Sequence, residues 1–141
     1  MKLLDVDGFI KERKKGQRRT DLFRRENLET WLLYFPPGDV QRMHSHPSDR
    51  TYYVITGRGV MKGLNETHEL SPGKILSIPA LEYYEGSNPY DEPMVLLGNS
   101  SKATPEDLAK AGGQRNEIDE ATGKRIVYQH GGGRDEGVLV D

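Results

Sequence analysis

The chain has no cysteine among its 141 residues, which removes disulfide frameworks, thiol nucleophiles and thiolate metal sites together. Any metal must then be held by histidine, carboxylate or tyrosine. No apolar run approaches the roughly 20 residues of a membrane span, and Met1-Lys2-Leu3-Leu4-Asp5-Val6-Asp7 puts acids where a signal peptide needs its apolar segment. The expectation is a soluble cytoplasmic protein with no membrane partner. An excess of one charge is missing too. Lys plus Arg (20) nearly cancels Asp plus Glu (22) for a net charge of -2, whereas a chain that binds nucleic acid over its whole surface is basic.

Glycine (16) and proline (8) are abundant instead. That density of breakers argues against a helical bundle and favours short strands joined by turns. Charge divides the chain unevenly. Residues 1–28 carry nine basic and five acidic side chains, 29–101 five and nine, and 102–141 six and eight. The first segment, with Lys11, Arg13, Lys14, Lys15, Arg18, Arg19, Arg24 and Arg25, reads as a basic N-terminal arm or short helix. It lacks the interleaved aromatics of a nucleic-acid site. Residues 29–101 alternate apolar runs with Gly, Pro, Asn or Asp, as in Trp31-Leu32-Leu33-Tyr34-Phe35 before Pro36-Pro37-Gly38 and Thr51 to Thr56 before Gly57-Arg58-Gly59. Six or more such strands at near-regular spacing predict a sandwich or small barrel. In residues 102–141 a short helix is signalled by Thr104 as N-cap, Pro105 at the first helical position and Gly112-Gly113 at its end. Ile118 to Tyr128 could form a hairpin around Thr122-Gly123. His130 to Gly137 reads as a flexible tail, and Val138-Leu139-Val140 could dock elsewhere.

The most informative stretch is Gly38 to Arg50. Histidines at i and i+2 of a strand face one way, so His44 and His46 can converge on one ion or one substrate atom. Gly38, five residues, His44-x-His46, three residues, Arg50, six residues and Gly57 make up one pattern. Gly73, five residues, Pro79-x-Leu81, two residues, Tyr84, three residues and Asn88 make up a second. Together they resemble the two motifs of the cupin superfamily over about residues 30 to 97, with Arg50 where the family has Glu, Leu81 where it has Gly, and Tyr84 where it has His. The resemblance implies an all-β fold, a cupin-like double-stranded β-helix or jelly-roll barrel, here with a short C-terminal helix. It also implies a homodimer, to which exposed strand edges and the apolar Val138-Leu139-Val140 would lend themselves.

A typical cupin site resembles three imidazoles and one carboxylate around a divalent metal ion. This chain offers His44 and His46. Tyr84 as a phenolate, or Glu82 or Asp49 after a local shift, would have to complete the set, while Arg50 cannot ligate and repels a cation if it points inward. Three readings stay open. A weak metal is held beside an anionic substrate clamped by Arg50, or no metal binds and Arg50 grips a carboxylate or phosphate while His44, His46 or Tyr84 moves protons, or the barrel only binds or assembles. Strand parity points Arg50, Tyr52 and Val54 inward, and with Tyr84, which the resemblance puts at the second motif's histidine position, Arg50 and Tyr52 are the candidate substrate-binding residues. It leaves open which of Trp31, Leu33 and Phe35 or Leu32 and Tyr34 face the interior. The expected activity is that of a small-molecule enzyme or binder for a polar, anionic ligand, of the dioxygenase, decarboxylase or isomerase/epimerase type the resemblance implies. The alternative is a non-catalytic ligand sensor or scaffold. His68 and His130 are expected at the surface.

Overall fold

The strand that carries the tryptophan buries both of its faces, and two separate cores follow from it. The computed structural model describes residues 1–129 and 137–140. In it, a short helix α1 (Val6–Lys11) precedes β1 (Arg19–Arg24), β2 (Leu28–Phe35), β3 (His44–Ser45), β4 (Arg50–Thr56) and β5 (Gly59–Gly63). Next come β6 (Thr67–Leu70), β7 (Ile75–Ile78), β8 (Tyr84–Ser87), β9 (Met94–Ser101), helix α2 (Pro105–Ala111), β10 (Arg115–Ile118), β11 (Arg125–Tyr128) and β12 (Val138–Val140). A five-stranded sheet runs β1-β2-β9-β4-β7 and a seven-stranded sheet runs β12-β11-β10-β3-β8-β5-β6. Their strand pairs are antiparallel, and the two sheets form the double-stranded β-helix expected.

Along β2, Trp31 and Phe35 enter the core between the sheets together with Tyr52 and Val54 of β4, Met94 and Leu96 of β9, and Tyr84, and Leu33 packs against it. This settles the parity of β2: the odd-numbered residues face inward. Leu32 and Tyr34 enter a second core with Leu22 and Val95, against which Leu4, Val6, Phe9 and Ile10 of the N-terminal segment pack. Val6, Phe9 and Ile10 stand at helical i, i+3, i+4 spacing. The N-terminal segment therefore covers the outer face of the sheet with an apolar stripe, leaving Lys11, Lys14 and Lys15 exposed while the Arg13 guanidinium lies 4.8 Å from the centroid of the Tyr34 ring.

Gly98 lies opposite Trp31 on one neighbouring strand and Tyr52 on the other. A Cβ there would sit 2.6 Å from the Trp31 ring, so only glycine leaves room for the two aromatics to meet edge to face, 6.0 Å between centroids. Asn88 of the second motif is buried and structural. Its Nδ2 donates to the Phe35 and Glu92 carbonyls at 2.9 and 2.7 Å, and its Oδ1 accepts from Tyr90 N at 3.0 Å. Leu81, at the family's glycine position, has φ +72, the left-handed conformation that costs a non-glycine residue about 1–2 kcal/mol.

Helix α2 begins and ends as its sequence predicts. Thr104 Oγ1 accepts from Asp107 N at 3.1 Å and Gly112 closes the helix at φ 73. The hairpin β10–β11 also forms, and β10 joins the barrel by pairing with β3, Glu117 opposite His44. Val138 to Val140 pair with β11 of the same chain, Val138 and Leu139 remaining exposed. No helix among the described residues is long and apolar enough to cross a membrane. The expectations for a tail from His130 and for His130 itself fall on residues 130–136, outside the described residues.

Candidate ligand-binding site

A cavity of about 520 Å³ has Trp31, His44, His46, Arg50, Tyr52 and Arg115 in its wall. His44 and His46 reach it from the same face of the chain, their rings edge to face at 5.0 Å. His44 Nδ1 lies 2.7 Å from the Arg42 carbonyl and His46 Nδ1 3.1 Å from the Gln114 carbonyl. A carbonyl only accepts, so each Nδ1 carries the proton and donates, and each Nε2 is left as a lone-pair acceptor. Burial, then the charge of Arg115, lowers the His44 pKa to about 3. Burial, then the charge of Arg50, takes His46 well below its usual value. Both rings are neutral at physiological pH.

Arg50 points inward, as parity predicts. Its guanidinium lies 5.2 Å from the centroid of the Trp31 ring. Burial opposes its charge, while the hydroxyl oxygens of Tyr84 and Tyr52 beside it favour the charge without supplying a counter-ion. No carboxylate of the described residues lies within ion-pair distance of it, and its buried Nε has no hydrogen-bond partner among them. Tyr84 is fully buried, its ring 4.3 Å from that of His44 and its hydroxyl 3.1 Å from that of Tyr52. Burial, then Tyr52, raises its pKa well above the usual 10, so it stays a neutral phenol that meets the cavity through Tyr52.

Asp49 and Glu82 are not brought to the histidines. Asp49 Oδ1 accepts from Ala80 N at 2.9 Å and fastens the turn after β7. Glu82 is exposed beside Gly63 and Glu66, in a different depression. Among the described residues no three His, Asp or Glu side chains come together as a metal site. Two imidazoles with no third ligand among the described residues, under the repulsion of Arg50 and Arg115, do not fit a divalent cation. His68 is at the surface as expected, its Nε2 3.1 Å from Glu66 Oε2.

The flanks supply wall residues that no motif marks. Arg19 of β1 stacks 4.5 Å above Trp31, and Arg24 bonds Glu29 at 3.1 Å. Gln114 and Arg115 arrive with β10. Alternation within β10 held a clue, since Arg115 and Glu117 must share a face, but which strand β10 would join is not written locally.

The family model described as Cupin domain matches residues 31–98. No curated protein matches the chain, whereas 394 chains of solved structures do. The TT1209 protein of Thermus thermophilus is 26% identical with a TM-score of 0.63, the match covering 72% of this chain and 97% of that one. An uncharacterized conserved protein with a double-stranded β-helix domain from Klebsiella pneumoniae is 18% identical, TM-score 0.63, over 74% and 92% of the two chains. The DMSP lyase DddQ of Ruegeria pomeroyi is 22% identical, TM-score 0.53, over 55% of this chain and 40% of its own length. The likenesses to the Klebsiella protein and the lyase are likenesses of fold.

Proposed function

The chain belongs to the cupin superfamily, and from that premise we propose that its barrel binds a small hydroxyl-bearing anion on Arg50 and passes a proton to or from it through His44 and His46. The observation that carries the reading is Arg50 itself, a largely buried guanidinium with no carboxylate partner among the described residues and an unbonded Nε. An unpaired buried charge costs several kcal/mol, and a bound carboxylate or phosphate offsets that cost with charge-assisted hydrogen bonds. Tyr52, whose hydroxyl can donate, stands beside it.

The neutral imidazoles supply the complementary half of recognition. Their free Nε2 atoms accept from ligand hydroxyls, which the arginines cannot do. An anion seated on Arg50 also weakens the repulsion that holds the imidazoles neutral, so their basicity rises when ligand arrives. This arrangement suits proton-transfer chemistry of the isomerase or epimerase type.

A panel of small hydroxycarboxylates and phosphate esters, with uncharged analogues as controls, tests binding by thermal shift. The anions are expected to raise the melting temperature of the wild type and not of Arg50→Gln. Proton transfer is tested by NMR in deuterium oxide. Exchange of a substrate C–H should be lost in His44→Gln or His46→Gln with binding retained. Stabilisation of Arg50→Gln by the same anions as the wild type refutes the assignment.

A further inference from the structure

Arg50 supplies one cation to the cavity wall, and Arg115 supplies a second. Arg115 stands on β10, beyond the residues the family model matches, and its Nε and Nη2 donate to Glu117 Oε1 at 3.2 and 3.0 Å. Glu117 is 3% exposed. Its Oε2 accepts from the Tyr128 hydroxyl at 3.3 Å and lies 3.8 Å from the Arg42 guanidinium. Two arginines thus share one carboxylate, Arg115 as its nearer partner, so that the net positive charge of this corner is carried by the exposed Arg42. At the rim, by contrast, Arg19 and Arg24 are matched by Asp21 and Glu29. Glu117 also fixes the guanidinium of Arg115 in place, while its remaining N–H groups are available to whatever enters the cavity it lines. Arg50 comes from the five-stranded sheet and Arg115 from the seven-stranded one, so the two charges approach the cavity from different walls.

Resting on the reading of Arg50 as an anion anchor, we infer that the cavity takes a ligand with an anionic group at each end, one on Arg50 and one on Arg115, and hydroxyls between them that donate to His44 and His46. The shared chemistry is that of a two-ended polyhydroxy anion, whether the ends are carboxylates or one is a phosphate. The volume of about 520 Å³ falls in the range of small-molecule pockets. Arg115 is then the residue that separates two-ended from one-ended ligands, and it is a binding residue that the C-terminal extension lends to the barrel.

Glucose, gluconate and glucarate share a six-carbon chain and carry no, one and two carboxylates. By titration calorimetry the wild type is expected to bind glucarate about tenfold or more tighter than gluconate, and glucose more weakly than either. Arg115→Gln should bring glucarate to the affinity of gluconate and leave gluconate within about twofold. Because that change strips buried Glu117 of a partner, Arg115→Gln combined with Glu117→Gln is measured beside it and should behave alike. Tighter binding of 6-phosphogluconate than of glucarate assigns a phosphate to one end, and the reverse order assigns two carboxylates. Equal affinity of the wild type for glucarate and gluconate, or equal weakening of both by the Arg115 variants, overturns the two-ended ligand while leaving Arg50 as an anchor. Failure of the wild type to bind either acid, or binding that survives Arg50→Gln unchanged, overturns the Arg50 reading itself.

Discussion

Replacing Arg50 with methionine should make the ligand-free protein more stable and deaf to anions. The guanidinium is held in a wall of Trp31, Tyr52 and Tyr84 with no carboxylate among the described residues to compensate it. The effective penalty for a buried ion after relaxation is several kcal/mol, and apolar replacement of buried ionic groups stabilises by about 1–4 kcal/mol where it helps. Against this, methionine gives up a cation–π contact of about 0.5–2 kcal/mol and the attraction of two phenol oxygens, and the open cavity lets water reach part of the charge. The balance is a gain of about 1–2 kcal/mol, or roughly 3–8 °C in melting temperature for a chain of this size. Differential scanning calorimetry in a weakly binding buffer measures it, with and without a ligand near 100 times its Kd. At that concentration binding adds about 2.7 kcal/mol to the wild type and should add nothing to Arg50→Met. A variant that melts below the wild type in the absence of anions would show that the charge is already compensated, and the reasoning from an unpaired cation would fall.

Three further outcomes are expected. His44 has a folded pKa of about 3 against the usual 6.5, so between these values the unfolded chain takes up a proton that the fold refuses. Its contribution is complete above pH 6.5 and is lost as pH falls toward 3, about 3 kcal/mol by pH 4.5, with His46 acting in the same direction. Urea unfolding from pH 7 to 4 checks this, and a pH-independent midpoint contradicts it. Gly98→Ala drives a methyl into Trp31 and should cost about 1–3 kcal/mol by overpacking. Since Trp31 is the one tryptophan of the chain, its fluorescence should shift in the same variant, and an unchanged spectrum would count against the close fit. Leu81→Gly relieves a left-handed leucine that is only partly buried, so its stability should stay within about 1 kcal/mol of the wild type, whereas a leucine that packed as core would lose about 2–5 kcal/mol. Chemical denaturation distinguishes the two.

The barrel was legible because its turns depend on few residue types. Gly38, Gly57 and Gly73 all take positive φ, and Leu81 keeps the same conformation at the family's second glycine position although its side chain disfavours it. The inward pointing of Arg50 and Tyr52 followed from period-two alternation once one face was apolar. Nearness in sequence misled for the acids. Asp49 is next to Arg50 and therefore faces away from it, and Glu82 sits in the bend after β7 where strand parity does not apply. Arg19, Arg24, Gln114 and Arg115 were not legible because they enter the wall through β1–β2 and β10–β3 pairing, which joins residues far apart in the chain.

Those two pairings mean that the stretch shared with the family is not a self-sufficient folding unit here. A fragment ending at residues 31 and 98 would turn β2 and β3 into open sheet edges and uncover Leu32 and Tyr34, whose face is otherwise roofed by the N-terminal segment. It would also discard Arg19, Arg24 and Arg115 from the cavity wall. Divergence confined to the flanks can therefore retune which molecules enter while every barrel motif stays as it is.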